Sequence, residues 1–262
     1  METILVLKIG GNIIDDPAAL SAFLSDFAKI SGPKVLIHGG GKLATQLSRQ
    51  LGIEPQMVDG RRITDEATLD IVTMVYGGLI NKKIVAQLQA KGCNAIGLTG
   101  ADAGFIQAHQ RRNAAIDYGF VGDIDQVDAT FLLQLLEQGI TPVLAPLTHN
   151  GAGQLLNTNA DSVASQTAVA LARSRKVTFF YCFEKKGLLQ DVNDDHSCVP
   201  QVKLADIERL KADGIVSGGM LPKVDNIAGA LQQGVEKVIL CHAQDVLSII
   251  GGNSNFGTRF SV

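Results

Sequence analysis

Four charged side chains, three of them set near glycines, carry the chemistry this sequence can do. They are Lys8 in Lys8-Ile9-Gly10-Gly11, Arg62 in Gly60-Arg61-Arg62-Ile63-Thr64, Asp161 in Asn157-Thr158-Asn159-Ala160-Asp161, and Lys223 in Ser217-Gly218-Gly219-Met220-Leu221-Pro222-Lys223. Glycines without Cβ atoms let backbone N–H groups close on a ligand, and an ammonium beside them suits a phosphate. An arginine just outside a helix start is either a carboxylate clamp or a solvated charge. Each residue alone also has a plain structural reading. Lys8 can be a strand-end lysine reaching to solvent, Asp161 a first-turn carboxylate complementing a helix dipole, and Lys223 a solvated helix lysine. A further loop, Gly39-Gly40-Gly41, runs from an apolar strand straight into a helix, where unpaired first-turn amides favour an anion. It fits no G-x-G-x-x-G fingerprint and has no acidic partner about 20 positions on, which argues against a nicotinamide-binding protein.

The elements that must position these residues alternate. Residues 3–7 form an apolar run that suits a strand buried on both faces. Residues 17–30 read as a helix opened by Asp16, with Leu20, Phe23, Leu24 and Phe27 on one face. A strand over 34–38 follows, then a helix with Leu43, Leu47 and Leu51 inward. Thr64 or Asp65 opens the next helix, whose apolar stripe is Leu69, Val72, Tyr76 and Leu79. After a strand over 95–98, short alternating runs over 105–127 around Tyr118-Gly119 predict a hairpin flap beside the main sheet. Asp128 opens a helix that Gly139 ends, and the two prolines of 142–147 predict one short strand with irregular ends. Another short strand, 154–156, delivers Asn157 and Asp161 to a helix faced by Val163, Ala164, Thr167, Ala168 and Leu171. The second half supplies strands over 176–183, 187–189 and 237–240, helices over 203–211 and beyond Met220 (Val224, Ile227, Ala228, Leu231), and a last strand over 256–260 expected at an edge. Strands separated by helices predict an α/β, three-layer αβα sandwich on a mainly parallel open sheet, a single domain over 1–262 with ligands at the strands' carboxyl ends.

Composition narrows the function. The chain has 262 residues, 46% of them hydrophobic, and 28 glycines, as expected of a well-buried chain rich in tight turns. No apolar run reaches the ~18 residues of a membrane span, and Met1-Glu2-Thr3 opens no signal peptide, so a cytoplasmic protein without membrane contact is expected. Cys93, Cys182, Cys198 and Cys241 form no C-x-x-C pair, so neither a zinc site nor a redox motif is indicated. A net charge of −3, no tryptophan and three tyrosines argue against a nucleic-acid surface and leave small molecules as partners. Asn193-Asp194-Asp195-His196 reads as a solvated turn rather than a metal site, and His38 as a satisfied strand residue.

Together with Ile37-His38-Gly39-Gly40-Gly41 and Gly257-Thr258-Arg259, the four motifs resemble, in this order and across essentially the whole chain, the acetylglutamate kinases of the amino-acid kinase family. The resemblance implies that family's sheet of about eight strands and division into an acyl-glutamate half, roughly 1–173, and a nucleotide half, roughly 174–262. It implies ATP-dependent phosphorylation of the γ-carboxylate of an N-acylated glutamate in arginine biosynthesis, with ATP as co-substrate and Mg2+ carried by the nucleotide phosphates. Lys8, Lys223 and Asp161 are then the catalytic residues, the two lysines reaching the transferring phosphoryl from opposite sides with Asp161 as organiser. Gly40, Gly41, Arg62 and Asn157 bind the acceptor, Arg62 by its α-carboxylate; of the adjacent pair, Arg61 is expected to face away. Gly10, Gly11, Gly187, Gly218, Gly219, Met220 and Lys223 bind the nucleotide. An ionised carboxylate acceptor needs no general base, which fits the lack of a convincing catalytic histidine. Where relatives show Thr-Asp-Val-x-Gly-Val, this chain has Tyr181-Cys182-Phe183-Glu184-Lys185-Lys186-Gly187-Leu188, which departs at the adenine and ribose contacts. The acyl group, acetyl or the bulkier succinyl, stays open. So do another activity within the family and a non-catalytic nucleotide sensor, although retention of both lysines and Asp161 disfavours a sensor. With a strand starting at Thr3, no N-terminal helix of the kind that links arginine-regulated relatives into hexamers is expected, and the resemblance points to an arginine-insensitive homodimer.

Overall fold

The computed structural model describes residues 2–58, 61–112, 115–191, 193–194 and 196–262. The turn residues Asp59 and Gly60, and Asp195 of the acidic loop, lie outside them. The strands are β1 (Ile4–Ile9), β2 (Lys34–His38), β3 (Met57–Val58), β4 (Arg61–Arg62), β5 (Ala95–Leu98), β6 (Ile106–Gln110), β7 (Val121–Val127), β8 (Thr141–Leu144), β9 (Leu147–His149), β10 (Leu155–Thr158), β11 (Val177–Phe183), β12 (Gln201–Lys203), β13 (Lys237–His242) and β14 (Thr258–Ser261). Eight of them form one sheet in the order β12-β14-β13-β11-β1-β2-β8-β5, parallel except where β13 meets β14. The central strands are mostly apolar because helices cover both faces: β2 and β11 are buried along their whole length.

The helices that cover the sheet are α1 (Gly11–Ile14), α2 (Pro17–Lys29), α3 (Gly41–Gln50), α4 (Glu66–Val72), α5 (Asn81–Ala90), α6 (Ala129–Glu137), α7 (Ala160–Ala172), α8 (Ile207–Ala212), α9 (Leu221–Gln232) and α10 (Val246–Ile250). Asp16, Asp65, Asp128 and Asn159 accept first-turn amide hydrogen bonds and open α2, α4, α6 and α7, so four starts follow ordinary capping chemistry. In α2, Leu20, Phe23, Leu24 and Phe27 are buried as their spacing predicts, each side chain worth ~1.5–3 kcal/mol of transfer energy.

Several expectations need correction. Between α4 and α5 the helix widens into a π-helical stretch, Thr73–Ile80, which shifts the register by a fraction of a turn. Ile80 therefore goes inward, while Leu79 stands 42% exposed. In α3 the innermost residues are Ala44 and Ser48; Leu43 and Leu47 pack at the margin, and Leu51 follows the helix at 57% exposure. In α9, Ala230 is buried where Ala228 was expected, and Ala228 packs at the margin. Residues 187–189 contribute only a bridge from Leu189 to Cys198. The last strand is not the edge. Short β12 pairs outside β14 in parallel and takes that place.

The flap is larger than a hairpin. β6 and β7 pair antiparallel as expected, and β9 and β10 complete a small closed barrel, β10-β7-β6-β9. Residues 142–147 are not one strand, because the chain leaves the large sheet at Ala145-Pro146 and enters the barrel as β9. Proline has no N–H to continue a ladder. Gly122 sits where the barrel strands converge: a Cβ there would lie 2.6 Å from Thr158 Oγ1 and 2.9 Å from Thr148 Oγ1.

Candidate active site

Lys8 lies near the carboxyl end of β1, Asp161 in the first turn of α7, and Lys223 in the first turn of α9. Folding brings the three together. Lys8 Nζ is 2.6 Å from Asp161 Oδ1 and Lys223 Nζ is 3.1 Å from Oδ2. The Lys223 contact is a directed hydrogen bond, whereas Lys8 meets Oδ1 as an ion pair outside hydrogen-bond geometry. Asn159, not Asp161, caps α7, accepting from Asp161 N at 2.7 Å and Ser162 N at 3.4 Å. The Asp161 carboxylate is thus free of helix duty and committed to the ammoniums. Burial alone would raise its pKa, but Lys8 first and then Lys223 outweigh that effect and hold it well below the usual carboxylate range.

On one side of this triad lies a cavity of about 210 Å³ bordered by Gly40, Gly41, Arg62, Asn157 and the start of α7. Arg62 is buried. Its Nη2 donates to Gly41 O at 2.9 Å and Thr45 Oγ1 at 2.7 Å, while Nη1 is buried with no partner. A fixed guanidinium with an unpaired buried edge is a site for a carboxylate. Asn157 Nδ2 donates to Thr64 Oγ1 at 2.9 Å, which sets the amide's orientation beside the cavity. Gly40 has φ +152° and packs on Tyr76 and Ile80, where any Cβ would collide with Ile80 Cδ1. No side chain caps α3 after Gly40, so its first amides remain available. Arg61 touches the cavity only from its exposed rim, while Arg62 is the buried member of the pair.

On the other side a groove of about 640 Å³ is lined by Lys8, Gly10, Gly11, Lys42, Glu184 and Lys223, among others. Gly41, Met57 and Arg62 border both spaces, so the two are neighbours, and Lys8 and Lys223 line the groove. Gly218, Gly219 and Met220 form a tight 3-10 turn leading into α9, which also lacks a side-chain cap. Gly187 does not line the groove. It packs where a Cβ would sit 2.6 Å from Cys198 Sγ and 2.7 Å from Thr258 Oγ1, holding the β11 exit against β14. A larger open depression of about 1130 Å³, lined by His109, Arg111, Arg112 and Asp125, contains no residue of the triad.

His38 is a structural residue. Nδ1–H donates to Gly39 O at 2.8 Å, Nε2 accepts from Asn81 Nδ2 at 3.2 Å, and complete burial lowers its pKa to about 4, so it is neutral. Among the described residues no cluster of three or more His, Cys, Asp or Glu side chains could hold a metal ion. Two contributors, Thr45 and Tyr181, escaped sequence reasoning. Thr45 anchors Arg62; one helical turn beyond Gly41, it could have been found by asking what fixes a buried guanidinium. Arg111 of the flap, paired with Asp123, borders the acceptor cavity. Tyr181 lies beneath both lysines.

A three-layer α/β fold with a lysine from each half converging on one carboxylate defines a class of phosphate-handling proteins, and the chain belongs to the amino acid kinase family, whose model matches residues 3–242. It is 54% identical to the acetylglutamate kinase of Cytophaga hutchinsonii over 260 residues, covering 99% of this chain and 98% of that one. Among solved structures it resembles the N-acetylglutamate synthase of Neisseria gonorrhoeae complexed with coenzyme A and N-acetyl-glutamate (TM-score 0.83, 20% identity). That match covers 99% of this chain but only 59% of the synthase. It also resembles the carbamate kinase of Giardia lamblia bound to AMP-PNP (TM-score 0.73, 15% identity, 99% and 98% covered). At such identities the two structures establish the fold alone.

Proposed function

We propose that this chain transfers the γ-phosphoryl group of ATP to the γ-carboxylate of N-acetyl-L-glutamate, giving the acyl phosphate and ADP, a step of arginine biosynthesis. The observation that carries the reading is the Lys8–Asp161–Lys223 triad, whose two lysines line the groove next to the Arg62 cavity; the 54% identical acetylglutamate kinase supports the choice of acceptor.

The chemistry asks little covalent help of the protein. A γ-carboxylate oxygen attacks the γ-phosphorus, the bond to the β–γ bridging oxygen breaks, and ADP departs with the electron pair. No proton moves, because the acceptor is already ionised at neutral pH. Catalysis is then alignment plus stabilisation of charge on the moving group. Lys8 approaches that group from the acceptor side and Lys223 from the nucleotide side, while Asp161 keeps two mutually repelling ammoniums in place between turnovers. Arg62 receives the α-carboxylate on its unpaired Nη1 edge, with Asn157 and the Gly40-Gly41 amides on the rest of the acceptor. Gly10, Gly11 and the Gly218-Gly219-Met220 turn lie close to the phosphates, and Gly187 shapes the adenosine side indirectly. Magnesium, strongly hydrated and content with few protein ligands, would be carried by the nucleotide phosphates and would help neutralise their charge.

The protein is proposed to work in the cytoplasm as a homodimer. Met74 (53% exposed) and Leu79 flank Gly77-Gly78 on the π-helical stretch, an apolar surface open to a second copy. No helix among the described residues is long and apolar enough to cross a membrane.

The test is ADP release measured with N-acetylglutamate, N-succinylglutamate, glutamate, aspartate and carbamate in parallel. Turnover with N-acetylglutamate exceeding every other acceptor is expected. ATP binding without ADP release from any of them would make the protein a sensor instead.

A further inference from the structure

Tyr181 occupies an unusual position. On β11 it is the register partner of Lys8 on β1, so both side chains leave the same face of the sheet. Its ring is fully buried, and both site ammoniums lie over it, Lys8 Nζ 5.3 Å and Lys223 Nζ 4.9 Å from the ring centroid. Both distances fall within the ~6 Å over which a cation is attracted to the negative face of an aromatic ring. The phenol oxygen is buried beside Asp161 and Asn226 yet makes no well-formed hydrogen bond. Burial and then the Asp161 charge raise the phenol's pKa, so it stays neutral and supplies no formal charge.

The triad carries two positive charges and one negative. Asp161 can face each ammonium with only one oxygen, and the excess positive charge repels itself in a partly dry site. A smaller apolar residue at 181 would leave that excess unanswered and part of the ring's space empty. We propose that Tyr181 is a positioning residue whose ring face forms the floor on which Lys8 and Lys223 are held at phosphoryl-transfer spacing. It touches neither substrate. Its contribution therefore belongs in kcat and not in the binding of either substrate.

The inference rests on the proposed reaction, and the experiment keeps the two separable: a wild-type protein inactive with every acceptor overturns the reaction, while an active one continues to the ring. In the full-length protein, Tyr181 is replaced by Phe, by Leu and, through nonsense suppression, by Phe analogues bearing one, two or three ring fluorines, which drain the π face at almost constant size. Tyr181→Phe is expected to keep kcat within about threefold. Tyr181→Leu should lower kcat by tenfold or more, with the KM for ATP and for the acceptor moving less than threefold. Along the fluorine series log kcat should fall with each added fluorine while the unfolding midpoint stays level. A flat fluorine series would overturn the proposal, as would a Phe variant as slow as Leu, since the hydroxyl would then be the active part. Should the Leu variant fail to fold, the fluorine series decides alone.

Discussion

Lys8 and Lys223, one on the first strand and the other on the ninth helix, end on opposite oxygens of a single carboxylate, at 2.6 and 3.1 Å. Neither lysine is placed by its local sequence. What fixes them is the parallel pairing of β1 with β11 and the packing of α9 against α7, so the site exists only when both halves are folded together. The predictions below follow from that arrangement and from the acceptor cavity beside it.

Arg62→Ala should raise the KM for N-acetylglutamate by tenfold or more, because it removes a carboxylate partner remote from the transferred group. The KM for ATP should stay within about twofold. Arg62→Lys should not restore the acceptor KM, since one ammonium cannot hold Gly41 O and Thr45 Oγ1 and still present a planar edge to the ligand. Steady-state kinetics with each substrate varied in turn checks both. A change confined to the ATP parameters would put the acceptor elsewhere.

Gly40→Ala introduces a Cβ into the Ile80 side chain and requires a φ of +152° that alanine tolerates badly. The expected loss is about 2 to 4 kcal/mol of stability, from backbone strain together with overpacking. The first turn of α3 should also shift away from the acceptor cavity, weakening acceptor binding in whatever fraction folds. Urea unfolding measures the first effect and acceptor titration the second; a variant of native stability and native affinity would refute the steric argument.

His38 gives the fold a pH dependence of its own. Burial lowers its pKa from 6.5 to about 4, so in acid the unfolded chain takes up a proton that the folded chain refuses. Stability should fall as pH drops from about 6.5 to about 4 and then level off with respect to this group, a total of roughly 3 kcal/mol. Asp161 acts in a lower window. Its depressed pKa gives stability that is present above the ordinary carboxylate value and lost only in stronger acid. Urea unfolding across this range should show a shallower slope between pH 4 and 6.5 for His38→Gln than for wild type. An unchanged slope would mean that His38 is not the titrating group.

Much of the architecture was legible because it rests on local signals. Asp16, Asp65 and Asp128 announce three helix starts, and the apolar runs of β1, β2 and β11 could belong only to strands buried on both faces. What escaped depends on packing between distant segments. The π-helical stretch that turns Leu79 outward and Ile80 inward leaves no mark on a 3.6-residue pattern, although Gly77, which lets the helix approach Leu147, lies within it. The closing of β6, β7, β9 and β10 into a barrel, and the placing of β12 beyond β14, are long-range pairings of very short strands. In the site, the charged residues were readable because their types limit their chemistry. Tyr181 was not, because an aromatic in an apolar strand reads as core. The register pairing puts it on the face of Lys8, and the start of α9 brings Lys223 over the same ring.

The central claim, that Lys8, Asp161 and Lys223 act as one charge-stabilising unit, is tested most directly by single-turnover phosphoryl transfer from labelled ATP. Hydroxylamine is included to trap the acyl phosphate as a stable hydroxamate. Wild type is compared with Lys8→Ala, Asp161→Asn and the double variant, each checked for native secondary structure, which Asn159 should preserve by capping α7. Losing either member should cost on the order of 3 to 4 kcal/mol, two to three decades in rate. The double variant should lose clearly less than the sum of the single losses, because members of one unit are not additive. Strict additivity among well-folded variants, or a Lys8→Ala protein that forms the hydroxamate at a near-normal rate, would contradict the account.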